Sequence, residues 1–358
     1  MKLSRTPLIS LIVLLFAPCS QADTTVRYRY DFKTSVTGQP IAAAMTAVQA
    51  KLPKSSVIQI KGKLSRTTAL QYVLVSDFEK QVITLIDPVH HQYSTVYMKD
   101  YADQALTMIQ ALPKTPAEAQ KALDSMQSTF TSHETGKRET IAGIDAEETE
   151  MTLTVSMPIP TGPGSSTEAE QRAQPPILFQ LVMHVWTPDL AELQRVPALS
   201  EFNALYGDPT AKEVMNPAGS MQSVFGSVPG MGKGFADLVQ ALQAKGAVIL
   251  RTQEEMFMPM VAKMMAAQAR AKAGEQGEGV DPTTLPDEKA PLMQITVEVD
   301  EISGAPIDEA VFAVPRDCQL VSVPDLLKAN LPAAQTDAAE APGASDPVAA
   351  SKTAVPEN

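Results

Sequence analysis

Between Val26 and Lys33 apolar and charged side chains alternate residue by residue, with Val26, Tyr28, Tyr30 and Phe32 on one side and Arg27, Arg29, Asp31 and Lys33 on the other. A period of two makes a strand with one dry and one wet face, so the chain must build a sheet and then cover one side of it. Further strands are expected at Ile58–Lys61, Gln71–Val75, Val82–Ile86, Gln92–Tyr97, Met151–Met157, Ala247–Gln253 and Leu292–Ile302. The strand from Ile177 to Val185 carries Ile177, Phe179, Leu181, Met183 and Val185 on a wholly apolar face. Short links such as Ser76–Lys80 make hairpins, and hairpins with one wet face predict an antiparallel sheet.

Helical periodicity interrupts the strands twice. Met98, Ala102, Ala105, Ile109 and Leu112 recur every three or four residues, and Thr115-Pro116-Ala117-Glu118 opens a second helix as a capping box. Thr187-Pro188-Asp189 caps a helix that carries Leu190 and Leu193 and stops at Gly207, and another buries Phe235, Leu238, Val239 and Leu242 before Gly246. Pro158–Pro176 is rich in Pro, Gly and Ser and reads as a mobile loop, as does the stretch near 266–291. Residues 329–358 are rich in Ala, Pro, Asp and Ser with almost no large apolar residue and read as a disordered tail. The expectation is one α+β domain over 23–328.

The N-terminus carries an address. Lys2 and Arg5 precede the apolar run Leu8–Phe16, and Ser20-Gln21-Ala22 places small residues where a signal peptidase cuts, so 1–22 reads as a signal peptide cleaved near Ala22 and the protein as periplasmic or extracellular. The rival reading, in which Cys19 is lipidated, meets Pro18 where Gly or Ala is wanted. Once Cys19 leaves, Cys318 is the sole cysteine and no internal disulfide can form, so a buried core must supply the stability. The net charge of −12 becomes −14 when Lys2 and Arg5 are removed with the signal. Such a surface repels phosphate backbones, which argues against nucleic acid as a partner, and no later segment is long and apolar enough to span a membrane.

No residue pattern amounts to a catalytic or cofactor signature. His90 and His91, if extended, point to opposite faces, and His133-Glu134 lacks the second His of a zincin because Lys137 stands in its place. Structural roles are expected for these two, for His133 and for His184. Gly230-Met231-Gly232-Lys233-Gly234 lacks both the spacing and the Ser or Thr of a phosphate loop and reads as a flexible lead into a helix. Met256, Met258, Met260, Met264 and Met265 crowd into ten residues. A core or lid helix starting at Pro259 explains them, and an adaptable apolar groove or a thioether site for Cu(I) are the sharper alternatives. No metal or cofactor is expected.

The runs Ile60–Arg66 and Val82–Pro88 leading to Tyr93, Ile141-Ala142-Gly143-Ile144 ahead of a strand, Val185–Leu190, and the closing Ile307–Pro315 resemble a family of exported bacterial proteins of unknown function. That family is similar in architecture to the periplasmic lipoprotein carriers. The resemblance implies a curved antiparallel sheet, a half-barrel, with helices packed on its concave face, a greasy cavity and no catalysis. The leading expectation is therefore a non-enzymatic envelope protein that holds an apolar small molecule or lipid, with Trp186, Leu190, Leu193, Phe235, Leu238, Leu242, Met260 and Met264 as the lining. The alternatives are a protein-interaction module with a solid core, whose partner is unknown, and a hydrolase assembled from distant residues.

Overall fold

The computed structural model describes residues 23–34, 54–69, 71–101, 125–157, 175–207, 232–246, 248–276, 287 and 289–328. Among these lie twelve strands: β1 Thr24–Thr34, β2 Ser55–Lys61, β3 Leu64–Ala69, β4 Tyr72–Asp77, β5 Val82–Asp87, β6 Gln92–Tyr97, β7 Gln127–Ile141, β8 Ile144–Ser156, β9 Ile177–Pro188, β10 Arg251–Phe257, β11 Met293–Ser303 and β12 Gln319–Leu320. They form one open sheet in the order β12-β6-β5-β4-β3-β2-β1-β11-β10-β9-β8-β7. Every pairing is antiparallel except β12 on β6. The helices are α1 Leu190–Arg195, α2 Pro197–Gly207, α3 Gly232–Ala244, α4 Pro259–Gln276 and α5 Val323–Lys328. The architecture is α+β. Among the described residues no helix is long and apolar enough to cross a membrane.

The alternation in β1 holds: Val26 is buried, Tyr28, Tyr30 and Phe32 are half-buried, and the intervening charged residues are mostly exposed. Register carries that parity across the sheet, so one row on the dry side runs Phe32, Ile295, Glu254, Met183, Met151 from β1 to β8. Two helices pack on this side. Leu199, Phe202 and Leu205 of α2 join Val26, Ile60 and Val299 in one cluster, and the Thr24 hydroxyl donates to the Ala198 carbonyl. Phe235 and Leu238 of α3 join Met151, Leu153, Leu181, Met183 and Val185 in another. A third cluster covers the reverse side of β3–β6, where Ile307 and Phe312 lie on Val73, Val75 and Ile86.

Several expectations are corrected. The helix after Asp189 is two: Val196 is extended, because the residue before Pro197 is driven out of the α region. The stretch placed in a mobile loop from 266 is helix as far as Gln276, since Ala, Lys, Gln and Arg favour helix once Pro259 has opened it. The strand expected at Ala247–Gln253 runs instead over Arg251–Phe257, held by β9 and β11 on both edges despite two Glu. Gly234 is no flexible lead: it sits within α3 with its N–H bonded to the Ser128 hydroxyl, and an added Cβ would lie 2.8 Å from Leu153 Cδ1. His90 and His91 occupy the β5–β6 turn and not an extended segment; Asp87 accepts the Val89 and His90 N–H groups there, and His91 closes the turn at positive φ. The signal segment 1–22, the second helix from Thr115, the loop 158–174 and the tail 329–358 lie outside the described residues.

Candidate functional site

The two faces of the β7–β11 half of the sheet have opposite chemistry. On the helix side, α2 and α3 leave a strip between their clusters, formed by Tyr30 and Phe32 of β1, Met293, Ile295 and Val297 of β11, and Met256 of β10. All six are half-buried and belong to none of the clusters formed by the described residues. The Tyr30 and Phe32 rings are parallel with centroids 6.2 Å apart, and the Tyr30 hydroxyl shares a 2.8 Å hydrogen bond with the Ser56 hydroxyl. Glu254 stands inside the strip, with Ile295 on one neighbouring strand and Met183 on the other. Burial pushes its carboxyl above the usual range, and among the described residues no charge or hydrogen bond opposes that shift.

On the opposite face the rows read Arg29, Glu298, Arg251, Trp186, Glu148 and, beside it, Asp31, Thr296, Gln253, His184, Glu150, His133. Glu148 is only 1% exposed and fully engaged. His184 Nδ1 lies 2.6 Å from one of its oxygens, and the Thr135 hydroxyl and Lys137 Nζ reach the other at 3.0 and 3.1 Å. Burial works to raise this carboxyl, but the bonds from Lys137, His184 and Thr135 win and hold it below the usual range. Arg251 bridges Glu298 and Glu139 while its guanidinium lies 5.0 Å over the Trp186 ring. Lys137 and Thr135 come from the bulge that interrupts β7–β8 pairing between Glu134 and Arg138, which folds an extra turn of chain back onto Glu148.

The eight residues expected to line one cavity are dispersed. Phe235, Leu238 and Leu242 meet in the α3 cluster, whereas Trp186 and Leu193 belong to the α2 cluster. Trp186 and its neighbour Val185 point to opposite sides of β9, and it is Val185 that packs with α3. Leu190 is 70% exposed and Met264 54%, so neither forms part of a covered wall; Met260 is half-buried at the start of α4. Two surface depressions, of about 380 Å³ at Val82, Thr95 and Tyr97 and about 180 Å³ at Glu134, Glu147 and Lys245, contain none of the eight.

All four histidines have carboxylate neighbours: His90 with Asp87, His91 with Asp317, His184 with Glu148, and His133 4.0 Å from Glu150. Among the described residues no three His, Cys, Asp or Glu side chains converge as a metal site requires. Cys318 is half-buried in the cluster behind β3–β6, and burial with Asp317 and Asp87 nearby pushes its thiol up. Sequence reasoning missed the strip and Glu254 because Arg251–Phe257 shows no apolar alternation and which neighbours flank it is set by register with β9 and β11. No protein-family model matches the chain, and no curated protein matches it significantly.

Proposed function

We propose that the protein is an exported, non-enzymatic binder of an apolar ligand, a lipid or acyl chain, which lies across the strip between α2 and α3 on the helix side of the sheet. The observation that carries this reading is the strip itself: six apolar side chains from three adjacent strands, half-buried, between two packed cores on the same face. In this reading the sheet curves as a half-barrel with the helices on its concave side, in the manner of the lipoprotein carriers, and the signal peptide delivers the protein to the periplasm. Removal of alkyl surface from water at about 25 cal/mol per Å² would drive binding. The site expected from sequence moves accordingly, from a wall shared by Trp186 and α3 to Tyr30, Phe32, Met256, Met293, Ile295 and Val297. Native mass spectrometry with lipid extraction, on protein taken from the periplasmic fraction, tests the reading. A stoichiometric apolar mass that is lost in Ile295→Asp supports it; a bare chain mass unchanged by added solubilised lipid overturns it.

A further inference from the structure

We propose that Glu254 is the polar anchor of the strip and that the ligand is an amphiphile with an ammonium head, its alkyl chain lying over Phe32, Ile295, Val297 and Met256. This rests on the apolar-ligand reading above and adds the ligand's class. Among the described residues the geometry gives this carboxyl no charged neighbour. Its cross-strand neighbours are Ile295 and Met183, and Thr252 and Met256 precede and follow it on the same side of β10. The next rows on that side hold Tyr30, Val297 and Val185 in one direction and Met293 and Leu181 in the other, without a Lys or Arg. Glu254 makes no hydrogen bond or ion pair among the described residues.

Glu254 is half-buried, and a carboxyl partly withdrawn from water without a partner is a free-energy cost that folded proteins normally remove by pairing. This sheet does so on its other face, where Glu139 and Glu298 hold Arg251 and Glu148 holds Lys137 and His184. A bound ammonium would supply the missing partner as a charge-assisted hydrogen bond in a low-dielectric setting, which recovers part of the cost only when ligand is present. An anionic head would find no opposite charge at Glu254 and would meet repulsion from a chain of net charge −12.

Calorimetric titration of the full chain with decylammonium, decanol and decanoate, in the wild type, Glu254→Gln and Glu255→Gln, tests the inference. Glu255 is the adjacent residue on the opposite face, where Gln253 and Gln294 donate to it, so its variant removes the same charge without touching the strip. Decylammonium is expected to bind about tenfold more tightly than decanol, the scale of one charge-assisted hydrogen bond, with Glu254→Gln abolishing the advantage and Glu255→Gln keeping it. Equal binding of decylammonium and decanol by the wild type overturns the anchor and leaves the apolar site standing. An advantage lost equally in both variants overturns it too, in favour of general charge attraction. If no alkyl probe binds, the apolar-ligand reading falls together with the anchor.

Discussion

Glu148 and Glu254 stand two strands apart in one sheet, on opposite faces, and their surroundings treat the same side chain in opposite ways. Glu148 is sealed in by Lys137, His184 and Thr135, so burial strengthens its hydrogen bonds and its carboxylate is favoured. Glu254 is flanked by Met183 and Ile295, so burial only removes water from it and the neutral acid is favoured. Burial by itself therefore says little about a carboxylate's contribution; the decisive factor is whether the desolvated group is paired. The difference extends to the two faces. One is a charged lattice closed upon itself, and the other is an apolar surface that holds, among the described residues, one unpaired carboxyl.

Four substitutions sharpen this comparison. The largest effect is expected on the apolar face beneath α3, where Leu153→Ala should cost about 2–5 kcal/mol in chemical denaturation, because Leu153 is fully buried against the helix. Glu148→Gln keeps the shape and removes the charge, and should cost about 1–3 kcal/mol with a lower melting temperature at neutral pH. If that variant melts like the wild type, the polar lattice is decoration. Gly234→Ala drives a methyl toward Leu153 and Ser128 and should cost about 1–2 kcal/mol, checked by the denaturation midpoint. Glu254→Gln is expected to reverse the sign, gaining about 1 kcal/mol at neutral pH. A loss of stability there would mean that the carboxylate is paired after all.

The pH dependence separates the same two groups. The Glu148 carboxyl is lowered in the folded protein, so the stability it contributes is present above the ordinary 4.5 and disappears as pH falls through its folded value. Glu254 is raised, so its contribution is fullest below 4.5 and is lost as pH climbs through its folded value. Denaturation midpoints followed from acid to neutral pH should therefore lose their acid limb partly in Glu148→Gln and their descent toward neutrality partly in Glu254→Gln.

Much of the sheet was legible because its strands advertise themselves: β1, β9 and β11 alternate cleanly, and the amphipathic stripe Phe235–Leu242 announces α3. The 15-residue β7 was not, since Gln127–Ile141 is polar on both sides and hydrophobic patterning has nothing to read in a strand at the sheet's edge. Its hairpin into β8 was foreshadowed only by Ala142-Gly143, which adopts two consecutive positive φ angles. The candidate site was less legible still. Phe235, Leu238 and Leu242 meet in one cluster, whereas Trp186, expected beside them, belongs to another and is turned away from Val185 by one residue of offset along β9.

Sequence alone determined which side chains share a face of each strand, because successive residues must alternate and that parity depends on no neighbour. It also set the charge, the shortage of cysteine and the helix starts at Asp189 and Pro259. Only the tertiary structure decided which strands stand side by side, since pairing β1 with β11 joins residues such as Thr25 and Ser303 that are far apart in the chain. Register with β11 and β9 is what sets Glu254 between Ile295 and Met183, while Glu148 takes Lys137 from its own hairpin and His184 from β9, and no local pattern encodes a register between distant segments.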